Sequence, residues 1–156
     1  MLDGTRTSQF MSTLAASLRQ IFPARAFGPP ASVEAVEIAE SAIGSRIPSP
    51  LRELYFEFDG FHGPTAIPFL YRLGSADDVT SLVRWNLWFR TGREFSGEFM
   101  RRYLFFGSDG CGGHWAVPLS AVATTIVRWY PDMGDRMDTL SSDFVAFWSE
   151  QKSLYD

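Results

Sequence analysis

The residues best suited to chemistry in this chain are Asp109, Cys111 and His114, within and just beyond the run Gly107-Ser-Asp-Gly-Cys-Gly-Gly113. A thiol and an imidazole three positions apart have the spacing of half a zinc site, but a closed site takes four ligands and His62 is the only other histidine. The same pair could serve as nucleophile and base, with Asp109 the one nearby carboxylate to orient the imidazole. Nothing adjacent suggests an oxyanion hole. The glycines could cradle a phosphate, yet the Lys-Ser/Thr ending of a phosphate loop is missing and the run leads into a strand pattern instead of a helix. Asp132, Asp135 and Asp138 recur at every third position but lack the other acidic positions of a calcium loop, and read as a solvated acidic turn. No metal and no cofactor is expected.

A hairpin must position these residues. Leu104-Phe-Phe106 and His114-Trp-Ala-Val117 are short apolar runs that suit strands buried on both faces. Four glycines in the seven residues between them predict a tight, bulge-tolerant connection with at least one positive φ.

The remaining elements read as cover. Phe10, Leu14, Leu18 and Ile21, with Met11 and Phe22 beside them, predict an amphipathic helix over Ser8–Phe22, closed by Pro23. After an extended Gly-Pro-Pro linker, Ser32 is placed to cap a helix over Val33–Ile43 that ends at Gly44. Ser49-Pro50 predicts an N-cap and first-turn proline for a helix with the stripe Leu51, Leu54, Tyr55 and Phe58. Ile67–Leu73 is a short strand with Pro68 at an edge or start. Ser75-Ala-Asp-Asp78 has capping-box spacing and predicts a helix running to Phe89, with Val79, Leu82, Val83 and Phe89 on one face and Trp85 and Trp88 widening it. Thr91–Arg101 reads as loop, Thr124–Tyr130 and Arg136–Leu140 as a third and fourth strand, and Ser141-Ser-Asp143 as the cap of a final helix presenting Phe144, Phe147 and Trp148. Helices come early and strands late. That order favours an α+β fold, an antiparallel sheet of about four or more strands flanked by N-terminal helices and a C-terminal helix.

The length of 156 residues, with 46% hydrophobic and 15% aromatic side chains, suits a single domain: a helix and linker over 1–31 and a core over 32–148. The five tryptophans read as core. A net charge of -4 argues against a general nucleic-acid binder and for a basic protein partner. One cysteine excludes an internal disulfide and fits a reducing compartment. The hydrophobic runs are too short to span a bilayer, and Met1–Arg6 lacks the basic lead of an export signal, so a cytoplasmic protein without membrane contact is expected. Thirteen of the fourteen basic residues are arginine, which suggests GC-rich, bacterial coding DNA.

Several of these features together resemble the SUKH superfamily of fungal cell-wall-synthesis regulators and bacterial toxin-immunity proteins. The resemblance is carried by Glu40-Ser-Ala-Ile-Gly44 with Ile47-Pro48, by Leu51–Gly60 ending in Asp-Gly, by the glycine-rich strand-turn-strand Leu104–Val117, and by the serine-capped aromatic helix Ser142–Trp148. It runs from Ser32 to Trp148; the Trp-rich segment Asp78–Phe89 and the loop after it fall where the family varies most. What it implies is an α+β domain without catalytic residues whose bacterial role is to bind and neutralise a toxin, frequently a nuclease.

The expected function is therefore a non-enzymatic immunity protein that recognises a basic toxin domain through an acidic surface. The alternatives are a regulatory interaction module of the same fold and a small hydrolase using Cys111 or His114. Loops carried by the sheet are the expected contact, with Asp109, Asp132, Asp135 and Asp138 as carboxylates and Tyr130 as aromatic anchor.

Overall fold

The computed structural model describes residues 4–120 and 125–156, with side chains from residue 13 onward. Its elements in order are α1 (Gly4–Ile21), α2 (Val33–Ile43), α3 (Leu51–Glu57), β1 (Phe61–His62), β2 (Pro68–Leu70), α4 (Leu82–Thr91), α5 (Gly97–Met100), β3 (Tyr103–Ser108), β4 (His114–Pro118), β5 (Ile126–Trp129), β6 (Met137–Ser141) and α6 (Phe144–Ser153). Strands β3 to β6 form one antiparallel sheet in the order β3-β4-β5-β6, and β1 pairs β2 in a two-stranded ribbon. Helices precede the sheet and α6 follows it, the α+β arrangement expected. The first three residues and Thr124 lie outside what is described, as do the side chains of Phe10 and Met11, whose backbone belongs to α1.

Strand alternation distributes side chains to both faces of the sheet. Leu104, Phe106, Trp115, Val117 and Ile126 enter a large core with Leu18, Val36, Leu54, Phe147 and Trp148. Phe105, Ala116, Val127 and Trp129 enter a second, smaller core with Phe89 and Met100. The register between β3 and β4 shifts between Phe105 and Gly107, a bulge within β3 just before the glycine-rich connection and not in the connection itself, where the glycine spacing would admit one. Each of these large apolar side chains contributes about 2 kcal/mol by leaving water.

Local chemistry sets most boundaries. Ser32 Oγ accepts from the Ala35 N–H at 3.1 Å and Gly44 closes α2 at φ 84°. Asp143 caps α6, accepting from the amides of Val145 and Ala146. Two expected starts are corrected. Ser49 does not cap α3: its hydroxyl donates to Glu53 Oε1 at 2.6 Å, a charged acceptor, and Pro50 occupies the cap position without a side-chain bond. The helix expected from Ser75 begins at Leu82 instead, because Ser81 is the cap. Ser81 Oγ accepts from the Arg84 N–H at 3.1 Å and faces the carbonyls of Ser75 and Asp78 at 2.9 and 2.8 Å. Asp78 instead accepts from Thr80 and pairs with Arg72 at 2.7 Å, leaving Val79 68% exposed in a turn. The segment read as loop over Thr91–Arg101 contains α5, whose Met100 fills the second core.

Candidate functional site

The β3–β4 turn is built around Asp109, which is 9% exposed. Its Oδ1 accepts from the N–H groups of Cys111 at 2.7 Å and Gly113 at 2.9 Å, and its Oδ2 from the Tyr130 hydroxyl at 3.3 Å. The Tyr155 hydroxyl donates to its backbone carbonyl at 2.6 Å. Gly110 and Gly112 take positive φ of 76° and 89°, as the glycine spacing predicts. The Asp109 carboxylate thus holds the turn together, while Cys111 is exposed at its tip.

His114 opens β4 and is buried among rings, with centroids 4.9 Å from both Trp85 and Phe89. Its Nδ1 shares a 3.0 Å hydrogen bond with the Tyr71 hydroxyl. Burial pulls the imidazole down to about 4, against the opposing pull of Asp109, so His114 is neutral at pH 7. Burial also holds the Tyr71 phenol protonated. Among the described residues, no group of three or more His, Cys, Asp or Glu is placed to hold a metal ion, and no helix is long and apolar enough to cross a membrane.

Beside this turn lies a cleft of about 440 Å³. Helix α4 supplies Trp85, Trp88 and Phe89 at helical spacing, the segment after it Glu94 and Phe95, the glycine turn Gly112 and His114, and the turn after β5 Pro131 and Asp132. Trp88 is 42% exposed at its edge. Its ring centroid lies 5.3 Å from that of Trp85 and 5.8 Å from that of Phe95, the latter pair nearly perpendicular at 81°.

The expected partner-facing residues divide between roles. Asp109 and Tyr130 are joined directly, and the Tyr130 ring lies 5.2 Å from the Arg128 guanidinium. Asp132 is exposed and lines the cleft. Asp135 is exposed beyond Gly134, whose carbonyl accepts from Trp129 Nε1 at 2.7 Å, and Asp138, on β6, pairs with Arg136 at 3.2 Å. Residue-type reasoning placed Trp85 and Trp88 in the core and did not single out Glu94 or Phe95. The available signal was the Trp-rich stripe itself, Trp85, Trp88 and Phe89 at helical spacing on one helix.

A family model described as the SMI1 / KNR4 family (SUKH-1) matches residues 30–150. The chain belongs to this family. No curated protein matches it. The matched span runs from just before α2 to within α6, and so includes the glycine turn and the cleft. In this SUKH-1 chain the glutamate of the first motif has a visible task. Glu40 Oε2 accepts from the Ile47 N–H at 2.8 Å, and its carboxylate takes the Arg52 guanidinium at 3.1 to 3.3 Å, locking the corner between α2 and α3.

Proposed function

We propose that this SUKH-1 chain is a non-enzymatic binding protein of the immunity type, which captures and neutralises a basic toxin domain in the bacterial cytoplasm. One observation carries the reading: an aromatic cleft opens at the surface between the glycine turn and the acidic β5–β6 turn, and the carboxylates at its rim, Glu94 and Asp132, have no ion pair among the described residues. Apolar centre and charged rim together are the composition of a recognition surface. The net charge of -4 favours a basic partner, and a nuclease carries basic groups for its own substrate. Two components of the alternative Cys-His chemistry are engaged elsewhere, His114 with Tyr71 and the Asp109 carboxylate with the turn amides. That supports a scaffold role for both.

Co-expression with the product of the adjacent reading frame tests the reading. A stable complex in which toxicity is lost is the expected result, and a Cys111→Ala variant should protect as fully as wild type. A complex with a harmless partner would assign the chain as a regulatory interaction module instead, and a toxin left active beside the free chain would contradict the proposal.

A further inference from the structure

We infer that the cleft between α4 and the two turns receives one arginine side chain of the partner, its guanidinium stacked on Trp88 and bridged by Glu94 and Asp132. The inference rests on the protein-binding reading and adds the chemistry of what is recognised. Ring faces alone would accept any apolar side chain. Here Trp85, Trp88 and Phe95 line one space and pack against one another, and Trp88 is left 42% exposed, so an indole is open to a ligand at the cleft's edge. Two carboxylates without ion pairs border the same space, which selects a cation. A guanidinium suits it better than an ammonium, because a planar, weakly hydrated group can stack on an indole while its edge still donates to both carboxylates.

The chain already uses this pairing elsewhere. Arg19 lies over Phe27 and Phe58, Arg52 over Phe56 and Arg128 over Tyr130, all with the guanidinium carbon 5.2 to 5.4 Å from the ring centroid. Among the described residues none of these arginines reaches the rings of the cleft. The cleft is thus lined by aromatic side chains and two carboxylates, and among the described residues no cation of the same chain is stacked on those rings.

The test titrates the capped peptide acetyl-Gly-Arg-Gly-amide into the full chain while the indole N–H resonances are followed by NMR, with the citrulline and lysine peptides as controls. The arginine peptide should shift the Trp85 and Trp88 signals saturably, and citrulline, which keeps the shape without the charge, should bind at least about tenfold more weakly. Glu94→Gln/Asp132→Asn alters only rim charges and should weaken the arginine peptide about tenfold, and Trp88→Ala should abolish the response. No arginine-dependent shift, or citrulline or lysine binding as tightly, overturns the inference. Failure here is separable from failure of the protein-binding reading. A chain that captures the toxin although Trp88→Ala and Glu94→Gln/Asp132→Asn leave the affinity unchanged keeps that reading and loses this one. A chain that answers arginine but captures no toxin does the reverse.

Discussion

Asn86 and Phe105 exchange two hydrogen bonds of 2.9 Å: the Asn86 amide donates to the Phe105 carbonyl, and its oxygen accepts from the Phe105 N–H. Since β3 is an edge strand of the four-stranded sheet, the Asn86 side chain stands where the backbone of a further strand would pair. A second bond from the same amide to the Leu82 carbonyl at 2.9 Å fixes the side chain to its own helix. The pair therefore sets the position of α4, and with it Trp85, Trp88 and Phe89, against the sheet.

Replacing Asn86 with Ala leaves both Phe105 backbone groups buried without that partner. The expected loss is about 2 to 4 kcal/mol of unfolding free energy. Urea denaturation measures it, and a loss under about 0.5 kcal/mol would contradict the bridging role.

His114 makes stability depend on pH. Its folded-state value of about 4 lies below the ordinary 6.5, so between these values the unfolded chain binds the extra proton and the folded chain does not. The contribution is intact above pH 6.5 and is lost as pH falls toward 4, reaching about 3 kcal/mol there. His114→Gln removes the titrating group. Melts at pH 7 and pH 4 should show wild type losing that much more than the variant, and parallel losses would rule the linkage out.

Two glycines of the hairpin should respond differently to alanine. At Gly107 a Cβ would lie 2.3 Å from the Phe69 carbonyl oxygen, a backbone atom with little room to yield, whereas at Gly112 it would meet nothing within 4 Å and only the φ of 89° is unfavourable. Gly112→Ala should therefore cost about 1 kcal/mol and Gly107→Ala about 3 kcal/mol or more. Thermal melts giving equal costs would show that the close approach of β2 to β3 is not a constraint.

The aspartates of the proposed face should separate in the same way. Asp109→Ala removes the acceptor of two turn amides and should destabilise the fold by about 2 kcal/mol or more. Asp132→Asn, at an exposed position, should change stability by less than about 0.5 kcal/mol and act on partner binding alone. Comparable denaturation losses for the two variants would contradict that division.

Much of the architecture was legible from local chemistry. Ser32 and Gly44 bound α2 as read because a cap and a left-handed terminus are properties of single residues. The glycine hairpin was legible because apolar runs and positive-φ turns leave direct traces in composition. The start of α4 was not, since Ser75 and Ser81 are both competent caps and only the burial of Ser81 against the carbonyls of Ser75 and Asp78 decides between them. Residue type likewise could not show that the Asp109 carboxylate turns inward onto its own loop. Nor could it separate Trp88, exposed at a cleft, from Trp115, Trp129 and Trp148, which are fully enclosed.

Whether an acidic face meets a basic partner is read from the association rate with the co-purified toxin at two ionic strengths. Wild type is compared with Asp132→Asn/Asp135→Asn/Asp138→Asn, which removes three carboxylates from the β5–β6 hairpin. Charges at the rim of an interface chiefly speed encounter, and salt screens them over about 8 to 10 Å. Association should be slower for the variant at low salt, with the two rates converging at high salt. Equal rates at low salt would contradict it and move the acidic contact to Glu34, Glu37, Glu53 and Glu57 on the early helices.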